Sequence, residues 1–277
     1  MIAYTTVALG LVLSPLHHQP QRSAVFHPSR STKILLGWGP DPVWSDLKIK
    51  TIEDAADGLK KITIDVPKET AEGFTTGGQY VQLREPGAEK AAFIAIASSP
   101  AKGTEFEFLV KEQPPSDWSP GTGWLTGASA GAPVEVSQTM GSGFLKTDDA
   151  LEGVEDVILF AAGSGISPLR ATIESGALKD KSVKLYYGCQ TPDMMSYSDK
   201  FDEWSKLGVD VTPVVSKPDG TGWEGVTGYV QDAAKKDGVD NPKNTAILLC
   251  GMKGMAEAVK DFAAEAGIPE DKVLTNF

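Results

Sequence analysis

The chain has 277 residues, 41% of them hydrophobic and 23% charged, enough for one large or two ordinary globular domains. Its net charge of −11 argues against nucleic acid and against an anionic membrane surface, since Coulomb repulsion opposes both. Two cysteines, Cys189 and Cys250, are too few for a disulfide framework or a zinc site. The three histidines, His17, His18 and His27, all lie in the first 27 residues. Without that segment the chain has no Ser-His-Asp or Cys-His chemistry and no His-ligated metal.

Residues 1–26 do not read as part of a fold. Val7 to Leu13 is an apolar run too short to span a bilayer; it resembles a signal-peptide core that lacks a basic leader. The stretch that follows is free of acid until Asp41 and carries Arg22, Arg30, Lys33 and several Ser and Thr, a transit-peptide composition. The junction Ser23-Ala24-Val25-Phe26 resembles bipartite presequences of secondary plastids, so plastid (chloroplast) import is expected. A simple secretory signal or another organelle presequence is the alternative. Loss of residues 1–26 leaves 25 bases against 37 acids, a charge of −12. Residues 1–44 are taken as presequence and N-terminal arm, with no membrane span in the mature chain.

Residues 45–150 carry strand signals. Leu47–Ile52 alternates, and Leu59–Val66 alternates after an Asp57-Gly58 turn. Further short runs cover 79–84, 92–97, 105–111 and 133–136, with a short helix fitting between Gly121 and Gly127. Strands of this length broken by Gly and Pro predict a small antiparallel all-β barrel. From Asp156 the period changes. Strand-like runs 157–162, 183–187, 209–215 and 246–250 alternate with helix-like runs 168–175, 198–206, 229–236 and 253–266. That βαβ series predicts a doubly wound parallel α/β sheet over 151–277.

The stretch from Val157 to Arg170 is the most informative. An unbroken apolar run is expected for a strand covered on both faces. Gly163 and Gly165 then permit a tight turn and a close backbone approach. Ser167 is expected to cap the following helix and Pro168 to be its first residue. The free N–H groups of such a helix start suit a phosphate.

The ordered motifs resemble the ferredoxin–NADP reductase superfamily over nearly the whole mature chain. Gly78-Gln79-Tyr80-Val81 resembles its barrel motif, and Gly163-Ser164-Gly165-Ile166-Ser167-Pro168 its dinucleotide loop. Tyr187-Gly188 matches the end of its second strand. Cys250-Gly251-Met252-Lys253-Gly254-Met255 is close to the Cys-Gly-Leu-Lys-Gly-Met of plant-type enzymes, and Phe277 supplies a terminal aromatic residue. Similarity is greater still to a plant and algal plastid group of FAD/NAD(P)-binding oxidoreductase-like proteins.

The resemblance implies FAD on the barrel, NADP or NAD on the α/β half, and hydride transfer between them. Cys250 would then lie against the nicotinamide and Phe277 over the flavin. Gln79, Tyr80, Ile94, Ile96, Ala97 and Ser98 would border the flavin. Gly163 through Pro168, Gly188, Gly251 and Met255 would border the dinucleotide. Ser216, Lys217 and Tyr229 resemble the Ser-Arg and Tyr residues that hold the 2′-phosphate and adenine, which favours NADP although Asp219 lies nearby. Cys189 is read as a core residue.

One departure stands out. The family's flavin motif Arg-x-Tyr-Ser falls on Ala92-Phe93-Ile94-Ala95, so the charged fork for pyrophosphate is missing. Main-chain contacts along 94–98, and a phosphate at the start of the helix near Ser119–Leu125, are expected instead. The rival reading is a binding or structural module that kept the fold and lost the flavin. A flavin-free dehydrogenase has no Tyr–Lys or His pair to serve it. The electron acceptor is not written in the sequence. Residues 45–150 hold 10 bases and 16 acids, and that net −6 opposes the acidic ferredoxin.

Overall fold

The computed structural model describes residues 41–114, 116, 120–147 and 149–276. The presequence, Ser119 and Phe277 lie outside the described residues.

The first half is built from β1 (Trp44–Ala56), β2 (Leu59–Asp65), α1 (Lys68–Glu72), β3 (Tyr80–Arg84), β4 (Ala92–Ala95), β5 (Glu105–Lys111), α2 (Pro120–Gly127) and β6 (Pro133–Ser137). Its sheet runs β4-β3-β6-β1-β2-β5, antiparallel throughout. Asp57-Gly58 forms the two-residue hairpin turn, with Gly58 at φ +68°. The sheet curls until the segment that follows β4 reaches β5. There the Ala97 amide donates to the Glu107 carbonyl at 2.8 Å, and the Glu107 amide donates to Ser98 Oγ at 3.1 Å. Alternate residues of each strand fill the interior: Ile62 and Ile64, Phe106 and Phe108, Val81 and Leu83, Val134 and Val136. Leu125 of α2 plugs one end of this core.

The second half contains β7 (Asp156–Ala162), α3 (Ile166–Glu174), β8 (Ser182–Cys189), α4 (Phe201–Lys206), β9 (Val209–Val215), β10 (Val226–Thr227), α5 (Val230–Asp237), β11 (Thr245–Cys250), α6 (Lys253–Ala266) and β12 (Val273–Thr275). All its strand pairs are parallel, in the order β10-β9-β8-β7-β11-β12. The chain steps outward from β7 to β10 and then returns to lay β11 on the other side of β7. That reversal puts the switch point of the sheet between β7 and β11, at whose carboxyl ends sheets of this kind receive ligands.

Three elements escape the sequence reading. α1 is one polar turn, and β10 and β12 have two and three residues, too few to show a period. With β10 counted, Cys250 ends the fifth parallel strand in chain order, where the four strand-like runs read from the sequence make it the fourth.

The two halves share apolar packing. Leu59, Leu109 and Phe144 join the cluster built on β7, β8 and β11. Ala171 of α3 joins the barrel cluster. Residues 166–173 of α3 are all buried, so this helix is wedged between barrel and sheet. Gly77 shows how close the approach is: a Cβ there would stand 2.1 Å from Thr172 Oγ1 and 2.8 Å from the Pro168 carbonyl oxygen.

Candidate functional site

β7 delivers the chain into one 3₁₀ turn, Gly163–Gly165, and α3 begins at Ile166. The two glycines do different work. Gly163 has φ +53° and open space where a Cβ would sit. A Cβ on Gly165 would instead stand 2.2 Å from the carbonyl oxygen of Cys250 and 3.1 Å from the Gly251 amide nitrogen. Gly165 therefore lets the turn press on the end of β11, and Gly163 is the one with an open side.

Ser167 does not cap α3. The cap position is Gly165, and no side chain there satisfies the first-turn amides. Ser167 is the second helical residue and Pro168 the third, because the helix starts two residues before the predicted 168. Ser167 is 2% exposed, and its Oγ has no hydrogen-bond partner. An uncapped helix start, an open glycine and an orphaned hydroxyl together fit an anionic group such as a dinucleotide phosphate.

Tyr187 braces the turn from below. Its hydroxyl donates to the Gly163 carbonyl at 3.2 Å and accepts from the Ser196 amide at 3.3 Å. Burial pushes this phenol's pKa up, so it stays neutral. Gly188, at the end of β8, lies against α5: a Cβ there would come within 2.9 Å of Val230 Cγ1. At the end of β9, the Ser216 amide and hydroxyl both donate to the Cys189 carbonyl. Lys217 Nζ donates to Gln190 Oε1 at 3.1 Å, a neutral partner that leaves the ammonium's charge uncancelled. Tyr229 precedes α5 with 64% of its surface exposed.

Cys250 ends β11 opposite Ala161 of β7, part-buried against the apolar cluster. Burial raises its thiol to about 12. The group is neutral at pH 7, which suits packing against a ligand and not nucleophilic attack. A Cβ on Gly251 would meet Met255 Cε at 2.6 Å and Ala162 Cβ at 3.3 Å, so Met255 closes the floor beside the strand ends. The Cys189 thiol donates to the Thr191 carbonyl at 3.0 Å, and burial raises it to about 11. Among the described residues no cluster of His, Cys, Asp or Glu is arranged to hold a metal ion.

On the barrel the arrangement differs from expectation. Gln79 spends its whole amide on the fold. Its Oε1 accepts from the Thr75 and Thr76 amides, and its Nε2 donates to the Gly73 and Gly141 carbonyls. The amides of Ile96 and Ala97 donate to the Gln79 and Glu107 carbonyls, and Ser98 Oγ is taken by Glu107. Ile96, Ala97 and Ser98 are fully buried. The Ile96 and Ala97 amides and Ser98 Oγ are therefore already engaged inside the barrel.

The register of β3 on β4 explains this. Ile94 lies opposite Val81 and Ala92 opposite Leu83, and both Val81 and Leu83 point inward. Ala92 and Ile94 thus face the core, and α2 rests on Ala92: a Cβ on Gly121 would stand 2.8 Å from the Ala92 nitrogen. The outward face of this strand pair carries Tyr80 and Phe93, their ring centroids 5.7 Å apart. Phe93 is 59% exposed. β4 is an end strand with β3 as its one ladder partner, so main-chain groups along its other edge are free of a strand neighbour. A flat aromatic ligand with polar edges fits this surface. Sequence reading missed Phe93 because Ala92-Phe93-Ile94-Ala95 is apolar throughout and shows no alternation.

The family model for the oxidoreductase NAD-binding domain matches residues 159–261. The fruit protein pKIWI502 of Actinidia deliciosa is 32% identical over 247 residues, covering 84% of this chain and 76% of that protein. The reductase component of propane 2-monooxygenase from Gordonia sp. is 26% identical over 242 residues, 82% of this chain and 65% of that one. Among solved structures, the Amycolatopsis cytochrome P450 reductase GcoB superposes with a TM-score of 0.71 at 22% identity, over 85% of this chain and 70% of that one.

Proposed function

Because the chain belongs to the ferredoxin–NADP reductase superfamily, we propose that the carboxyl ends of β7 and β11 hold the nicotinamide dinucleotide and that the edge of β4 holds the flavin. The protein is an FAD-dependent NAD(P)H oxidoreductase, passing electrons between NAD(P)H and an acceptor through the flavin. The observation that carries the site assignment is the orphaned Ser167 Oγ at an uncapped helix start.

The bound cofactors supply the hydride chemistry. The residues of this chain bind and align. Ser164, Gly165 and Ser167 offer main-chain N–H groups to phosphate, the Ile166 amide being taken by the Gly163 carbonyl, and Ser167 adds its hydroxyl. Cys250 and Gly251 form the wall at the nicotinamide end. Tyr80 and Phe93 offer ring faces to the flavin, and the free edge of β4 offers main-chain groups. Lys217 provides a point charge for a 2′-phosphate, and Tyr229 a ring for adenine, which favours NADP over NAD.

The acceptor is a protein or small molecule that tolerates an acidic partner. The barrel's net −6 makes ferredoxin a poor match. One relative is named as the reductase component of a monooxygenase and one as a cytochrome P450 reductase. An oxygenase-type acceptor is therefore the first to try. Plastid import is proposed from the composition of residues 1–44, and a plant relative is in keeping with it. No helix among the described residues is long and apolar enough to cross a membrane.

An absorption spectrum of the purified protein tests the flavin half of this reading. A yellow protein, or one that turns yellow with added FAD, is expected. A colourless protein that ignores FAD would favour a module that kept the fold and lost the flavin.

A further inference from the structure

Arg170 is a buried cation that the assigned sites do not use. It is 4% exposed and lies in the second turn of α3, one turn beyond the dinucleotide loop. Its Nε donates to Glu174 Oε1 at 2.9 Å, and its Nη1 donates to a carboxylate oxygen of Glu107 on the barrel strand β5. The guanidinium carbon sits 4.6 Å from the centre of the Tyr197 ring.

Each partner is tied onward. Glu107 receives the Ala97 amide on its carbonyl and gives its own amide to Ser98 Oγ. Glu174 accepts from Trp204 Nε1 at 3.2 Å, and its carbonyl accepts from Ser99 Oγ at 3.2 Å. Next to Tyr197, the Ser196 amide donates to the Tyr187 hydroxyl, which donates to the Gly163 carbonyl. An unbroken series of contacts thus runs from the Gly163 turn, through Tyr187, Ser196, Tyr197 and Arg170, to Glu107 and the residues beside β4.

The backbone is bent to complete that series. Tyr197 has φ +60° and ψ +22°, a left-handed conformation that bulky residues rarely adopt, and it carries the ring to the guanidinium. A buried ion pair is weak support for stability, since apolar residues of like volume generally do as well. What a planar fork held between two carboxylates provides is fixed geometry. Hydride transfer is the process here that demands it, because small misplacements of reacting atoms cost large factors in rate.

We propose that Arg170 is a positioning residue that fixes the dinucleotide turn relative to the flavin edge, acting through Glu107 on one side and Tyr197 on the other. This rests on the assignment of the two cofactor surfaces. Arg170 itself exchanges neither proton nor electron. Burial alone would favour the neutral guanidine; Tyr197, Glu174 and Glu107 outweigh it and keep the group protonated. Its effect is therefore independent of pH across the working range.

The test compares the full-length wild type with Arg170→Lys and with a triple variant, Arg170→Met, Glu107→Leu and Glu174→Gln. The triple variant removes the charges together, and its glutamine still accepts from Trp204. Flavin content and NADPH affinity are expected within threefold of wild type, while single-turnover reduction of the flavin by NADPH falls about 10- to 100-fold. Arg170→Lys, which keeps the charge and loses the fork, is expected to fall between. A wild-type reduction rate in either folded variant would overturn the proposal, as would a rate loss matched by an equal loss of NADPH affinity. Should the triple variant not fold, Arg170→Lys alone decides. Should the wild type hold no flavin, the function reading fails, and amide exchange judges the contact series: exchange at 163–167 and at 96–98 rises together in the variant if the proposal holds, and unchanged exchange sinks it.

Discussion

Under the proposed assignment the β7–α3 turn and the edge of β4 face one reaction from opposite halves of the molecule, and they are specified in opposite ways. At the turn, specification is in the backbone. Gly165 is needed because the carbonyl of Cys250 would lie 2.2 Å from any Cβ, and Gly163 because its φ is +53°. At β4 the backbone is an ordinary strand end, and specification is in which face each side chain takes. Ala92 and Ile94 point inward and Phe93 outward. A glycine requirement leaves a readable mark in a sequence. The choice of face in a four-residue apolar strand leaves none.

Substitution at the turn breaks this contrast most severely. Gly165→Val drives a branched side chain into the Cys250 carbonyl, so about 3 kcal/mol of stability should go, with dinucleotide binding lost as well. Gly163→Ala meets open space and pays only for its left-handed φ, about 1 kcal/mol. Denaturant titration of the two proteins checks the ordering. Equal stabilities would mean that the turn is not pressed against β11.

Cys250→Ser comes next. The change keeps size and exchanges a soft, neutral thiol for a hydroxyl. Flavin reduction by NADPH should slow on the order of tenfold or more, with NADPH affinity little altered. Stopped-flow reduction beside thermal melting separates two roles. A mutant that melts early yet reduces its flavin at the wild-type rate would make Cys250 a packing residue only.

Phe93→Ala sharpens the other side. The ring is largely exposed, so the fold should be unaffected within about 0.5 kcal/mol. FAD affinity should drop about tenfold, the value of one aromatic contact. Fluorescence titration of the apoprotein with FAD reads this directly, and unchanged affinity would move the flavin away from the Tyr80–Phe93 pair.

The mildest effect concerns pH. The Cys250 thiol lies near 12 in the fold against roughly 8.5 in an unfolded chain. A raised folded value means that the contribution to stability is complete below about pH 8.5 and disappears as pH climbs toward 12. Alkylation of Cys250 at pH 7 should accordingly be far slower than for a free thiol, and Cys250→Ser should flatten the alkaline arm of the stability curve. Rapid modification of the native protein at neutral pH would contradict the burial of this group.

Much of the fold was legible because its signals are periodic. The unbroken apolar run 157–162 became β7, and the alternation of 59–66 became β2 over Leu59–Asp65, with Ile62 and Ile64 inward. The start of α3 was misjudged because Ser167-Pro168 is a good local beginning for a helix. Packing of the whole segment between barrel and sheet extends the helix two residues back, and Ser167 becomes buried instead of capping. Gln79 was expected at the flavin, yet its amide braces the 73–79 loop. No local pattern distinguishes those two uses of a glutamine. The Arg170 contacts were illegible for a related reason: Glu107 is 63 residues away in sequence, and Tyr197 acquires its role from a left-handed backbone.

Anaerobic addition of NADPH to the FAD-reconstituted, full-length protein puts the central claim to its most direct test. Loss of the oxidised flavin absorption within seconds, with one NADPH consumed per flavin, is the predicted result. Retention of bound FAD in its oxidised form under excess NADPH and under excess NADH would contradict the account.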